Sequence, residues 1–156
     1  MMKIECRNVT KRFGSKLALN KMSFTIEGNK ITGLIGRNGV GKTTILKMIA
    51  GLIPPTEGEL KVLGKSPFNN LFVSANTIFV DDQMKFPNSL NLASILKTAG
   101  TFYEKWDDQL ASGLFNYFSL DPSQLHGNLS KGMKSTFNMI VGLASRSPIT
   151  IFDEPT

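Results

Sequence analysis

The sequence predicts an α/β fold, and three observations carry the prediction. A glycine-rich segment, Gly36 to Thr43, reads G-R-N-G-V-G-K-T and stands between an apolar run, Ile31 to Ile35, and a helix-like run, Thr44 to Ala50. Hydrophobic residues alternate with period two up to Ile26 and change to helical spacing between Asn88 and Ser119. A second short apolar run, Ile149 to Phe152, ends on the adjacent acids Asp153 and Glu154.

Taken in order, the alternating stretches Met2 to Phe13 and Leu17 to Ile26, separated by Gly14-Ser15, predict an antiparallel strand pair. Glu27-Gly28-Asn29 turns the chain into Ile31 to Ile35, expected to be a buried strand that delivers the glycine-rich loop. The helix after the loop should end at Gly51-Leu52-Ile53-Pro54-Pro55, where glycine and tandem prolines stop it. Short strands are expected at Glu59 to Leu63 and Thr77 to Val80, with an indeterminate stretch between them. Leu92, Ile95 and Leu96 mark one helical face, and Leu110, Leu114, Phe115 and Phe118 another. Ser130 is placed to cap a helix running to about Ser145, and Pro148 introduces the last strand, Ile149 to Phe152.

The glycine-rich segment satisfies the pattern G-x-x-x-x-G-K-[ST] in a strand-loop-helix setting, which implies a nucleoside triphosphate site. Glycines 36, 39 and 41 let the backbone curl around an anion with its N–H groups directed inward. The helix that follows adds roughly half a positive elementary charge at its N-terminus. Gly36, Arg37, Asn38, Gly39, Val40, Gly41, Lys42, Thr43 and Thr44 are therefore the candidate nucleotide-binding residues, with Lys42 reaching the terminal phosphates. The Thr43 hydroxyl is a hard oxygen suited to Mg²⁺. Asp153, at the end of an apolar strand, can hold Mg²⁺ through water, and Glu154 can polarise an attacking water, an arrangement suited to hydrolysis.

Composition narrows the classes. The chain has 156 residues, enough for one domain, and 41% of them are hydrophobic. No stretch approaches the roughly 18 consecutive apolar residues of a membrane helix, and the N-terminus does not read as a secretory signal. The net charge of +6 is spread along the chain without an aromatic-interleaved basic stripe, so no direct nucleic-acid partner is expected. Cys6, a single cysteine, reads as a small residue on the first strand, and His126, in a turn-rich stretch, reads as solvent-exposed.

With these motifs in order, the chain resembles the nucleotide-binding domain of ATP-binding cassette (ABC) transporters, of a bacterial exporter-like kind. Phe13, in K-R-F-G, stands where that family places an aromatic that stacks on adenine; Gln83 matches its Q-loop glutamine, and Leu129-Ser130-Lys131-Gly132-Met133-Lys134 resembles its signature motif. In that motif Lys131 and Met133 replace the usual glycine and glutamine, while Ser130 and Gly132 are kept. The resemblance implies a P-loop NTPase fold: a RecA-like core with an antiparallel β subdomain and a helical insertion. Residues 1–83 would hold the β subdomain and loop core, 84–147 the helical subdomain with the signature, and 148–156 the acidic strand. It implies ATP and Mg²⁺ as cofactors, with Thr43, Gln83 and Asp153 around the metal and Lys42, Gln83 and Glu154 serving catalysis. Ser130 and Gly132 would act on ATP held by a second ATP-binding subunit. A transmembrane permease would be the other partner, holding the protein peripherally on the cytoplasmic face of the membrane. Phe86, Phe102, Tyr103 and Trp106 are candidate permease contacts, although such aromatics more often serve internal packing.

The resemblance also implies an incomplete domain. The family's next segments carry the D-loop, a further strand and the H-loop histidine, so the chain is expected to be an N-terminal portion of limited stability and without activity alone. Two other readings stand beside the transport ATPase: a non-catalytic nucleotide-binding remnant, and a soluble ABC ATPase unconnected with transport.

Overall fold

The computed structural model describes residues 3–154. Met2, expected to begin the first strand, and the Pro155-Thr156 end of the acidic motif lie outside the described residues. Two compact units divide the chain, the first ending at Thr77 and the second beginning at Ile78.

The first unit is built on the expected hairpin. Strand β1 (Lys3–Phe13) pairs antiparallel with β2 (Lys16–Glu27), from Lys3 opposite Glu27 to Phe13 opposite Lys16. Strand β3 (Glu57–Val62) joins the other edge of β1, also antiparallel, giving the order β2-β1-β3. The register of β1 slips around Asn8, whose φ is 49°, so that Val9 and Thr10 are both buried where strict alternation would expose one. Helix α1 (Lys42–Ile49) touches β2 and β3 and buries Ile45, Met48 and Ile49. It ends as glycine chemistry dictates. Gly51, at φ 77°, donates to the Met48 carbonyl at 3.0 Å, and Leu52 donates to Lys47 at 2.9 Å, the paired bonds of a left-handed C-cap. The stretch left indeterminate by pattern contains a short helix, α2 (Leu71–Ala75), capped by the Asn70 side chain, which accepts from the Phe72 and Val73 N–H groups.

The second unit holds strands β4 (Thr77–Val80, from the last residue of the first unit) and β5 (Ile149–Phe152), which neighbour each other in a two-stranded sheet. Helices α3 (Leu92–Phe102), α4 (Asp108–Tyr117) and α5 (Lys131–Ala144) pack with them. Each begins on a side-chain cap: Asn91 accepts from Ser94, Asp107 from Leu110, and Ser130 from Met133. The apolar faces expected from spacing meet in one cluster, where Leu92 and Ile95 of α3 and Phe115 of α4 surround Phe137, Ile140, Val141 and Ala144 of α5. Among the described residues no helix is long and apolar enough to cross a membrane.

Two expectations are corrected. Ile31 to Ile35 is not a buried strand: the segment has no strand geometry, and the Ile31 and Ile35 side chains are almost fully exposed. Its composition suits a strand, but a strand in a sheet interior needs a ladder partner, and no described residue pairs with it. His126 is not exposed. It lies in a 3-10 turn (His126–Asn128) and is only 3% accessible, seated against the Phe86 ring at 5.6 Å and the Phe137 ring at 6.0 Å. A turn-rich sequence placed it in a loop, but the loop folds over the aromatic centre of the unit.

Candidate functional site

Within the first unit, the glycine-rich loop turns through Asn38 and Gly39 and enters α1 at Gly41, whose φ of 100° serves as N-cap. Only glycine fits there: a Cβ on Gly41 would lie 2.6 Å from the Ala18 carbonyl oxygen and 2.7 Å from Leu19 Cδ2. The loop is thereby seated directly on β2. The first intrahelical bond runs from the Ile45 N–H to the Gly41 carbonyl at 3.0 Å, which leaves the N–H groups before it without helical acceptors. Among the described residues no side chain caps this end, and no acid occupies its first turn, whereas α2, α3, α4 and α5 each carry a side-chain cap. An uncapped, uncompensated helix N-terminus is suited to bind an anion.

Lys42 folds across the same loop, its ammonium donating to the Gly36 carbonyl at 2.9 Å and to Arg37 at 3.1 Å. These bonds hold the cation against the start of the loop. The Thr43 side chain is on an exposed residue in the first turn of α1, and Thr44 is half-buried behind it. Arg37, Asn38, Gly39 and Val40 are exposed. Phe13 ends β1 with half its surface accessible, so it is not a core residue. The β1–β2 register sets Lys11 opposite Leu19, the residue Gly41 approaches, and therefore ties the Phe13 strand end and the loop to one pair of strands.

Within the second unit, the Asp153 N–H donates to the Val80 carbonyl at 2.9 Å, bringing the ends of β4 and β5 together. Asp153 is half-buried; Glu154 is exposed and has a φ of 47°, a region few residues other than glycine adopt. Gln83 follows the same edge, exposed, its N–H donating to Asp81 at 3.0 Å and its side-chain amide to Asp82 at 3.1 Å. The Asn138 amide of α5 donates to the Met84 carbonyl at 3.0 Å, tying this helix to the segment just after Gln83. Ser130 and Gly132 are exposed at the start of α5. The Ser130 hydroxyl accepts from the Met133 N–H at 3.2 Å, which leaves its own proton free to donate, and a Cβ on Gly132 would meet nothing within 4 Å.

Among the described residues there is no cluster of three or more His, Cys, Asp or Glu able to cage an ion. Thr43 stands in the first unit and Gln83 and Asp153 in the second, and each side chain carries an oxygen of the hard kind that Mg²⁺ prefers. The candidate permease aromatics divide: Phe86, Tyr103 and Trp106 pack against the core cluster, while Phe102 is largely exposed. One residue that motif reading missed is Lys11, whose Nζ stands 5.1 Å from the Phe13 ring centroid. The i, i+2 spacing of a lysine and an aromatic on one strand was the available signal.

Comparison with known proteins shows the family and the fold. The family model described as ABC transporter matches residues 19–156. The ABC transporter ATP-binding protein YtrB of Bacillus subtilis is 30% identical over 98% of this chain and 52% of its own length. The zinc import ATP-binding protein ZnuC of Rickettsia bellii is 33% identical over 97% of the chain and 62% of its own length. The chain thus spans between about half and two-thirds of these relatives. A solved ATP-binding subunit of an ABC transporter superposes with a TM-score of 0.83 over 97% of this chain and 66% of that one, at 23% identity, which speaks for a shared fold. The chain belongs to the ABC transporter family and has the P-loop NTPase fold of its nucleotide-binding domains.

Proposed function

We propose that this chain binds ATP with Mg²⁺ and forms part of the ATP-hydrolysing subunit that energises a membrane transporter. The observation that carries the reading is the uncapped N-terminus of α1, with Lys42 held over the loop that precedes it. In this reading the N–H groups of residues 36–44 and the Lys42 ammonium bind the phosphates, and Phe13 stacks on the adenine, an interaction worth roughly 1–3 kcal/mol. Thr43, Gln83 and Asp153 hold Mg²⁺, which when bound neutralises charge on the phosphate oxygens. Glu154 accepts a hydrogen bond from the attacking water and orients it, and Gln83 helps to position that water. The Ser130 hydroxyl and the Gly132 backbone contact the terminal phosphate bound by a second ATP-binding subunit, so that nucleotide joins the two. A permease anchors the pair at the cytoplasmic face of the membrane, with residues after Gln83 as its docking region. Support comes from the family membership and from names such as zinc import and Nod factor export among the relatives.

The experiment, made in the full-length ATP-binding subunit, is Glu154→Gln, with ATP binding, self-association and phosphate release measured together. Binding and ATP-dependent association should persist while turnover falls at least tenfold. Turnover equal to that of the unsubstituted protein would refute the assignment of Glu154.

A further inference from the structure

Phe13 is a large aromatic left half exposed at the end of β1, and the residues beside it on that strand are hydrogen-bonded to the segment Pro54 to Thr56. Residues two apart on a strand share a face, which brings Lys11 alongside it. The Lys11 ammonium stands 5.1 Å from the ring centroid and donates to the Pro54 carbonyl at 2.6 Å. The segment bearing that carbonyl is itself fastened to β1: the Thr56 N–H donates to Thr10 at 2.9 Å, and the Arg12 N–H donates to the Thr56 hydroxyl at 3.0 Å. The cation is therefore held at both ends, by the strand that carries it and by the turn whose carbonyl accepts its hydrogen bond.

We propose that Lys11 is a positioning residue for the nucleobase, its ammonium occupying one face of the Phe13 ring so that the opposite face is presented to an electron-rich purine. This rests on the reading of Phe13 as the base platform. A cation against one face draws the ring's π electrons towards itself and leaves the other face poorer in them, which favours stacking with adenine over a smaller, electron-poor pyrimidine. Holding the ring in place also lowers the ordering cost of base binding. Because Lys11 is paired across the sheet with Leu19, against which Gly41 packs, the platform keeps a set relation to the phosphate loop.

The test is calorimetric titration of ATP and of inorganic tripolyphosphate, which lacks a base, into the full chain and its Lys11→Gln, Lys11→Arg and Phe13→Ala variants. Lys11→Gln keeps a donor for Pro54 and removes the charge. It should weaken ATP roughly two- to fivefold, the range of an exposed cation–aromatic contact, with tripolyphosphate unchanged, and Lys11→Arg should restore ATP affinity. If Lys11→Gln does not unfold cooperatively, Lys11→Met replaces it in the same comparison. Unaltered ATP affinity in Lys11→Gln beside a loss in Phe13→Ala overturns the role of Lys11 and leaves the platform standing. Equal losses for ATP and tripolyphosphate also overturn it, since the residue then acts on the loop. Full ATP affinity in Phe13→Ala removes the platform on which the inference rests.

Discussion

Two alanine substitutions in the same loop should have unequal costs, and the difference is set by geometry. At Gly41 the backbone has a φ of 100°, which an L side chain adopts at a cost of about 1–2 kcal/mol. The added methyl would also fall 2.6 Å from the Ala18 carbonyl oxygen, a backbone atom fixed in β2, and 2.7 Å from Leu19 Cδ2. Relieving such an overlap by shifting the loop costs a further ~1–3 kcal/mol, so Gly41→Ala should lose roughly 2–5 kcal/mol of stability. At Gly36 the φ is not in the left-handed region, and the nearest atom to an added Cβ is Val40 Cγ2 at 3.4 Å, an ordinary contact. Gly36→Ala should therefore change stability by no more than about 0.5 kcal/mol, the usual range for an exposed position. Urea unfolding followed by circular dichroism measures both. Equal midpoints for the two variants would show that Gly41 is not seated on β2 as described.

Two other outcomes follow from burial. His126 is buried and, among the described residues, has no hydrogen-bond partner on either ring nitrogen; burial, then the nearby Lys134 charge, holds its pKa below the ordinary value of 6.5. Among the side chains against it, Phe86 and Phe137 are uncharged, so Lys134 of α5 is the charged neighbour that counts. The unfolded chain then binds the proton more readily, so the stability His126 contributes is complete above pH 6.5 and is lost as pH falls towards its lowered folded value. Unfolding midpoints between pH 7.5 and 5 should decline in the unsubstituted chain and less steeply in His126→Phe; parallel declines would contradict this. Ile35→Ser should shift the unfolding free energy by no more than ~0.5 kcal/mol, because the side chain is already in water. A loss of 2 kcal/mol or more, about that of a buried site, would place residue 35 in a core.

The elements were legible where local chemistry decides them. β5 was bounded to the residue by its apolar run, and the Ser130 cap was visible as a serine ahead of a periodic segment. α2 was missed because five residues are too short to show a period, and its determinant is a single asparagine. The misplacement of Ile31 to Ile35 and of His126 has one cause. Propensity describes what a segment prefers, whereas burial depends on which distant residues come to meet it. The phosphate loop was readable because its chemistry is local: eight consecutive residues supply glycine backbone, cation and hydroxyl. Lys11 was not, since its role depends on a carbonyl 43 positions away.

On the reading proposed above, the loop before α1 holds a polyphosphate with Lys42 as its principal cation. Calorimetric titration of Mg·ATP into the chain and its Lys42→Ala variant tests it most directly. Lys42 makes charge-assisted contacts of the sort worth about 1.5–3 kcal/mol, so the variant should bind roughly ten- to a hundredfold more weakly. Equal affinity in the two proteins would contradict the account.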